Sequence, residues 1–295
     1  MPWAFARVRT GKGAAVRRDN SPGRCESGGM ATHGELRDFW EHRLEGDWTE
    51  SGVGYRALGR PFNSWMYRVR EEVFLREVTR LAPRGARVLD AGSGTGFYVD
   101  LWDRLGAGTV TGCDVAHAAV ERLRGRFPQH RFVRQDVSEL DAFEDASFDA
   151  ASCMDVLFHI TDDDRYAAAF ENLGRVVRPG GALIISENCL QRPEQRGEHQ
   201  VNRTLETITS LADEAGFDVV RRVPLLVLMN AQVDAALPWR KVWGGFLRAV
   251  TTTAFTGGLA GSLLYRVDSR LVRGRREGPT TELLVLRRRE RNRPG

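Results

Sequence analysis

Apolar residues follow a repeating pattern between residues 86 and 223, where short continuous apolar runs alternate with longer stretches at helical spacing. Continuous runs of this length are typical of buried strands, and recurrence at i, i+3 and i+4 is typical of helices that pack on a sheet. Strands are predicted at Arg87–Ala91, Thr109–Asp114, Arg131–Gln135, Phe148–Met154, Ala182–Glu187, Phe217–Val223 and, after a long gap, Thr281–Arg287. Helices are predicted at Phe97–Leu105, Ala116–Phe127, Asp163–Val177 and Thr204–Ala215. The alternation predicts an α/β fold with a mostly parallel sheet and helices on both faces.

Two further helices are predicted before this core, within residues 30–83. Apolar residues at helical spacing place the first over Glu35–Leu44 and the second from Asn63 or Ser64 to about Leu81. We expect this N-terminal helical cap either to cover a neighbouring site, where its aromatic residues would exclude water, or to pack on the core without a further role.

Residues 224–280 form an insertion that a minimal sheet does not require, and residues 281–295 supply the last strand and a basic tail. The insertion holds an uncharged run, Ala249–Tyr265, which is shorter than the roughly 20 apolar residues of a membrane-spanning helix. Basic residues flank this run at Arg240, Lys241, Arg248, Arg266 and Arg270. We expect a helical insertion that packs over the active-site mouth or at an interface, with shallow docking on a membrane surface as the alternative.

The net charge of the chain is concentrated at its start. Residues 1–29 carry six basic and two acidic side chains, which accounts for the formal net charge of +4. This segment is rich in Arg, Gly and Ser without periodicity, so we expect a disordered basic extension, and Met30 is an alternative start of the native protein. The neutral remainder argues against a general nucleic-acid binder. Four cysteines without CxxC spacing predict neither a disulfide framework nor a zinc site.

The first predicted strand of the core breaks into a turn with glycines at positions 92, 94 and 96. Glycines let the backbone approach a ligand closely, and Asp90 places a carboxylate at the carboxyl end of the strand. The GxGxG spacing lacks the last small residue of a dinucleotide fingerprint, because position 97 is Phe. An acid here also repels a pyrophosphate and suits a ligand with an ammonium group. A nicotinamide-dependent oxidoreductase is therefore disfavoured.

With DAGSGTG at residues 90–96, the chain resembles the class I S-adenosylmethionine-dependent methyltransferases, and four further segments match that family in order up to Glu187. The resemblance implies a Rossmann-like seven-stranded sheet whose antiparallel last strand lies between the fifth and sixth, with a cofactor-binding core over residues 84–223. It also implies that LGRVVRPGG, at residues 173–181, forms the turn from a helix into the fifth strand. The helical cap and the insertion depart from the family, in the regions where it varies its acceptors.

The resemblance further implies which residues bind S-adenosylmethionine. They are Asp90, Gly92, Ser93, Gly94, Gly96, Asp114, Val115, Gln135, Asp136, Val137, Met154 and Asp155. Asp114 matches the acid that accepts hydrogen bonds from both ribose hydroxyls, which a carboxylate can do at once. Residues 135–137 match the adenine contact, although Asp136 can also be read as a turn or cap residue. Met154 and Asp155 match the segment beside the methionine part of the cofactor and the methyl acceptor.

His159 is the candidate general base, because it follows the fourth strand and imidazole titrates near neutral pH. The alternative is that His159 shapes the pocket or bonds the backbone. The acidic triplet at residues 162–164 is expected to cap the next helix, and no metal is predicted.

Together these features predict a cytoplasmic S-adenosylmethionine-dependent methyltransferase for a small-molecule or sugar-like acceptor, with O-methylation preferred. No nucleic-acid partner is expected. Two alternatives remain open at this stage: a non-catalytic S-adenosylmethionine-binding partner or regulatory protein, and a methyltransferase for a lipid-linked acceptor that associates weakly with a membrane surface.

Overall fold

The computed structural model describes residues 31–81, 84–230 and 232–290, so the predicted basic extension at residues 1–29 lies outside the described residues. Seven described strands form one sheet: β1 (Arg87–Ala91), β2 (Thr109–Asp114), β3 (Arg131–Arg134), β4 (Phe148–Cys153), β5 (Val177–Glu187), β8 (Phe217–Pro224) and β9 (Glu282–Arg288). Their order in the sheet is β3-β2-β1-β4-β5-β9-β8. Two short strands, β6 (Gln195–Arg196) and β7 (Val201–Asn202), pair with each other outside this sheet. β9 runs antiparallel to both β5 and β8. The predicted seven-stranded Rossmann-like sheet, with its antiparallel last strand between the fifth and sixth, is confirmed.

Apolar side chains of the strands point alternately into two hydrophobic cores, as the pleat of a strand requires. Val88 and Ile184 belong to the core on one face of the sheet, whereas Leu89 and Ile185 belong to the core on the other. All four side chains have no exposed surface. The strands are therefore buried on both faces, which is why they read as continuous apolar runs in the sequence.

The helices cover both faces of the sheet and its carboxyl edge. In the described residues they are α1 (His33–Gly46), α2 (Glu50–Val53), α3 (Gly59–Val78), α4 (Phe97–Arg104), α5 (His117–Arg126), α6 (Asp163–Val176), α7 (Leu205–Glu214), α8 (Leu237–Val250) and α9 (Ala254–Gly274). α1 begins at a capping box in which Thr32 and Glu35 satisfy each other's backbone N–H groups. α3 begins at Gly59, one turn before the predicted start at Asn63 or Ser64.

The expected turn at LGRVVRPGG is wrong in one respect. α6 ends at Val176 and β5 begins at the next residue, so Pro179 and the two glycines lie within the strand. The pairing of β4 with β5 shifts register there, because Phe148 pairs with Val177 whereas Ala150 pairs with Ala182. The additional residues of β5 between these two pairs form an irregularity in the sheet. Pro179 is tolerated there because a proline has no N–H to donate to the neighbouring strand.

The insertion folds into α8 and α9, and α9 packs along α3. A Cβ on Gly261 would collide with the ring of Trp65, so the glycine allows the two helices to approach closely. Tyr265 of α9 donates a hydrogen bond to Glu72 of α3. The uncharged run Ala249–Tyr265 is divided between α8 and α9 by a turn, and among the described residues no helix is long and apolar enough to cross a membrane.

Asp268 fastens α9 to the loop that follows β8. Its carboxylate is fully buried and accepts backbone N–H groups from Val227 at 3.1 Å, Leu228 at 2.8 Å and Met229 at 3.1 Å. Buried backbone donors need a partner, and here a single side chain serves three of them.

We predict that Asp268→Ala lowers the free energy of unfolding by about 3 kcal/mol, because hydrogen bonds to a charged group contribute about 1.5–3 kcal/mol each. Chemical denaturation measures this change. Asp218→Ala is the matched control, since Asp218 is an exposed carboxylate on β8 that pairs with Arg289. Equal effects of the two substitutions would contradict the anchoring role of Asp268.

Candidate functional site

The loop between β1 and α4 holds its glycines in backbone conformations that other residues rarely adopt. φ is +77° at Gly92, +50° at Gly94 and +81° at Gly96. A Cβ on Gly92 would collide with the side chain of Val156, whereas a Cβ on Gly96 would meet Phe127 and Leu123. Gly92 and Gly94 line the cavity described below, but Gly96 does not. Gly96 therefore has a packing role at the start of α4, and its contact with the cofactor stays a prediction.

A cavity of about 420 Å³ lies at the carboxyl ends of β1, β2, β3 and β4. This is where ligands bind open α/β sheets, and the volume is ordinary for a small-molecule site. The structure brings together eleven of the thirteen residues that the sequence predicted for the site. They are Gly92, Ser93, Gly94, Asp114, Val115, Gln135, Asp136, Val137, Met154, Asp155 and His159.

Asp114 joins the ends of two neighbouring strands. Its Oδ2 accepts the backbone N–H of Gly94 at 2.8 Å, and its Oδ1 accepts the backbone N–H of Ala116 at 2.9 Å. Burial raises the pKa of this carboxyl group, and the two backbone N–H groups oppose that shift. Each carboxylate oxygen has a second lone pair, so the side chain can still accept from a ligand in the cavity.

Asp136 lines the cavity with a carboxylate that already has protein partners. Its Oδ1 accepts the backbone N–H of Ser138 at 2.7 Å and the hydroxyl of the same residue at 2.6 Å. Its Oδ2 lies 3.3 Å from Arg165 and 3.6 Å from His33. The contacts of Asp136 are those of a turn residue, as its alternative interpretation expects. Val137 beside it is 5% exposed and offers an apolar surface.

Asp90 lies beneath the glycine loop and is not among the residues that line the cavity, so its contact with the cofactor stays a prediction. The side chain is 2% exposed, and its Oδ1 accepts the hydroxyl of Ser152 at 2.6 Å. Ser152 in turn accepts the indole N–H of Trp102 at 2.8 Å. Burial raises the pKa of Asp90 to about 6. Asp90 therefore links β1, β4 and α4 beneath the glycine loop, while its Oδ2 is buried without a hydrogen-bond partner in the described residues.

Asp155 connects the N-terminal helices to the sheet. It follows β4 with a φ of +60°, which is strained for a residue other than glycine. Its carboxylate forms an ion pair with Arg70 of α3, and its Oδ1 accepts the hydroxyl of Ser186 at 3.1 Å. The ion pair with Arg70 is a contact that the sequence did not indicate. It holds α3 over the end of β4.

His159 lies against the cavity in a fixed orientation. Its Nδ1 lies 2.9 Å from the backbone carbonyl of His199, which can only accept, so Nδ1 carries the proton. Burial lowers the pKa of His159 to about 4. The ring is therefore neutral at pH 7, with the lone pair on Nε2. Edge contacts with Trp40, at a centroid distance of 4.9 Å, hold the ring in place.

The N-terminal helices cover the cavity, as one of the two interpretations of the cap expected. Leu36 and Trp40 of α1, Val53 of α2 and Tyr67 of α3 line it, together with Phe97 of α4. Sequence reasoning did not select these residues, since their helical spacing shows only which side is buried and not what covers it. By contrast, none of the described residues between 224 and 280 lines this cavity, so a position of the insertion over its mouth is not supported.

Asp162 caps α6, as expected for the acidic triplet. Its Oδ1 accepts the backbone N–H of Arg165 at 2.9 Å, and Asp163 pairs with Arg196 and Arg203. In the part of the chain that the structure describes, no group of three His, Cys, Asp or Glu side chains is arranged to hold a metal ion.

Comparisons with known proteins agree with this fold. Residues 89–185 match a family model described as a methyltransferase domain. A ubiquinone biosynthesis O-methyltransferase from Xanthomonas oryzae pv. oryzae is 40% identical over 111 residues, which cover 36% of this chain and 45% of the relative. The corresponding protein of Paracidovorax citrulli is 38% identical over 112 residues with the same coverage. This chain thus spans less than half the length of these curated relatives.

The fold has a solved counterpart in the 1,6-didemethyltoxoflavin-N1-methyltransferase of Burkholderia thailandensis, which was crystallised with 1,6-didemethyltoxoflavin and S-adenosylhomocysteine. The two share 18% identity with a TM-score of 0.53, over 90% of this chain and 93% of that chain. The sheet order and the glycine loop define the class I methyltransferase fold. The family resemblance is confirmed over residues 89–185, which match the methyltransferase domain. The solved counterpart holds S-adenosylhomocysteine, which agrees with the predicted cofactor.

The residues present fit S-adenosylmethionine. The backbone of Gly92 and Gly94 lines the cavity, and the buried Asp114 retains lone pairs for a vicinal diol. Val115 and Val137 provide apolar surface beside Asp114 for a flat ring. When bound, the cofactor supplies a methyl group on a sulfonium, which is a good leaving group.

We predict that Asp114→Asn weakens binding of S-adenosylhomocysteine by about tenfold or more, because hydrogen bonds to a charged group exceed those to a neutral one. Isothermal titration calorimetry measures the affinity, and thermal unfolding shows whether the variant stays folded. Asp149→Asn is the matched control, since Asp149 lies at the other end of the sheet and pairs with Arg87 and Arg178. If Asp114→Asn is folded and binds as the native protein does, the assignment of Asp114 is wrong.

Proposed function

We propose that this protein transfers the methyl group of S-adenosylmethionine to a hydroxyl oxygen of a small, largely apolar acceptor bound beneath the N-terminal helices. The observation that carries the proposal is His159, a neutral imidazole whose tautomer is set by the His199 carbonyl and whose Nε2 lone pair remains available at the cavity. A hydroxyl must lose its proton on methylation, and a positioned lone pair can accept it.

The lining of the cavity supports an apolar acceptor. Trp40, Tyr67, Phe97 and Ile160 surround the space beyond the glycine loop, and side chains of this kind bury flat or aliphatic groups. Burial raises the pKa of the Tyr67 hydroxyl, so that group stays protonated and can donate a hydrogen bond to an acceptor oxygen. The names of the curated relatives also specify O-methylation. A strongly polar sugar fits this lining less well.

The remaining contribution of the protein is alignment and exclusion of water. The ion pair between Arg70 and Asp155 holds α3 against the end of β4. The helices that cover the cavity therefore keep one position relative to the glycine loop and the ends of β1 and β2, which we call the cofactor corner. Holding two reactants in line and away from water lowers the barrier without a chemical group that acts on the methyl. In this proposal Arg70 is a positioning residue.

An acceptor screen with methyl-labelled S-adenosylmethionine tests the proposal. The panel contains matched phenols, aliphatic alcohols, sugars, amines and thiols, and we expect label in the phenols or apolar alcohols. His159→Gln retains an amide N–H for the His199 carbonyl but cannot take up a proton, so we expect kcat to fall by about 10²-fold or more while cofactor affinity is unchanged.

The pH profile of the native protein, compared with that of His159→Gln, separates the base from a merely structural histidine. Because the pKa of His159 is lowered to about 4, wild-type activity should persist as the pH falls through 6.5, where an ordinary histidine would be half protonated, and should fall as the pH approaches 4. The residual activity of His159→Gln should lack this fall. Label only in amines or thiols, or full activity in His159→Gln, would contradict the proposed reaction. Cofactor binding without turnover of any acceptor would support the non-catalytic alternative instead.

A further inference from the structure

Most of the exposed large apolar side chains lie on the two helices of the insertion. Of ten such side chains in the described residues, eight belong to α8 and α9. We call this set the α8–α9 face, and its members are Leu237, Trp239, Val242, Phe246, Phe255, Leu259, Leu263 and Val267. The four residues of α9 recur at every fourth position, so they form one stripe along the helix. An exposed apolar patch of this extent indicates a binding surface.

The stripe lies on the side of α9 that does not pack on the protein. The packed side holds Gly261 against Trp65, the fully buried Asp268, and Val272, which is 1% exposed. On the opposite side the exposed fraction reaches 80% at Phe255. The fold therefore does not need these apolar side chains for its own core, and they remain available for a partner.

The charged side chains that α8 and α9 expose are all positive. Between Asp234 and Asp268 the sequence has no acidic residue, and Asp268 is buried. Lys241, Arg248 and Arg266 are exposed there, and none of the three forms an ion pair with a carboxylate of the described chain. The face thus combines apolar side chains with unneutralised basic ones, which matches a partner that is apolar inside and anionic at its surface.

An aromatic cluster lies at the exposed end of α8. Trp239 and Trp243 stack at a centroid distance of 5.8 Å, and Trp243 stacks on Phe246 at 5.1 Å. The two indole N–H groups already have partners, Gln232 and the carbonyl of Leu228, so the rings can enter apolar surroundings without losing a hydrogen bond. Tryptophan at the border of an apolar and a charged surface is typical of membrane interfaces.

From these observations we propose that the α8–α9 face docks on the surface of an anionic lipid bilayer. The two helices would lie in the plane of the bilayer with their apolar side chains among the lipid headgroups and acyl chains, and the basic side chains would meet lipid phosphates. A second copy of this chain fits less well. A twofold contact would place this face against the same face of the other copy. The basic set Lys241, Arg248 and Arg266 of one copy would then meet the same set of the other, without an acidic residue of these helices between them.

Docking here would bring the cavity close to the bilayer. Two packed helices, α9 and α3, then lie between them, because Trp65 of α3 contacts α9 while Tyr67 of α3 lines the cavity. An acceptor dissolved in or anchored to the membrane would then be held near the site. This last consequence rests on the proposed methyl transfer, whereas the docking does not.

Co-sedimentation of the full chain with vesicles tests the proposal. We use phosphatidylcholine vesicles and vesicles that contain about one third phosphatidylglycerol, since anionic lipid supplies the charge that attracts basic residues. We expect binding to the anionic vesicles, reduced by salt as screening of exposed charges requires. In the triple variant Phe255→Ser, Leu259→Ser, Leu263→Ser, and separately in the double variant Arg248→Glu, Arg266→Glu, the partition coefficient should fall by about tenfold or more.

Matched controls are Val220→Ser, an exposed apolar residue on β8, and Arg131→Glu, an exposed basic residue on β3. Both should bind vesicles as the native protein does. Thermal unfolding and binding of S-adenosylhomocysteine identify any variant that fails to fold. If the triple variant unfolds, the double charge variant, which also alters only exposed side chains, still tests the proposal. Absence of native binding to anionic vesicles, equal binding by both variants, or a dimer in sedimentation velocity that the triple variant abolishes would overturn the proposal.

Discussion

The carboxylate of Asp114 is the contact on which the candidate site depends. It holds the backbone N–H of Gly94, in the loop after β1, and that of Ala116, at the start of α5. These two segments border the cofactor corner from neighbouring strands, and a single buried side chain keeps their separation constant. Gly92 and Gly94 supply the positive φ angles that the loop requires, and the hydrogen bond that Trp48 donates to the Gly94 carbonyl also holds the loop.

A second constraint links this corner to the helices that cover it. Arg70 is buried and pairs with Asp155, so separating α3 from the sheet would leave a charge without its partner, which is costly away from water. The same helix carries α9 on its other side through Trp65 and Glu72. α3 therefore connects three features of the molecule: the cofactor corner, the apolar cavity and the exposed α8–α9 face.

The sequence predicts the sheet and the glycine loop well because both depend on local patterns. Strands buried on both faces read as apolar runs, and Asp114 is recognisable as the last residue of one of them. What could not be predicted depends on contacts between distant segments. Nothing near Asp90 shows that its carboxylate turns toward Ser152 of β4, and nothing near Trp40 shows that this ring lies beside His159. The irregular start of β5 likewise follows from pairing with β4, and not from Pro179 or its glycine neighbours.

The most direct test of the account is a crystal structure of the protein with S-adenosylhomocysteine. We expect both ribose hydroxyls within hydrogen-bond distance, about 3 Å, of the Asp114 carboxylate. The adenine ring should lie beside Val137, and the Asp90 carboxylate should keep its hydrogen bond with Ser152. A ligand bound outside this cavity, or a ribose that makes no contact with Asp114, would contradict the central claim that this carboxylate organises the cofactor site.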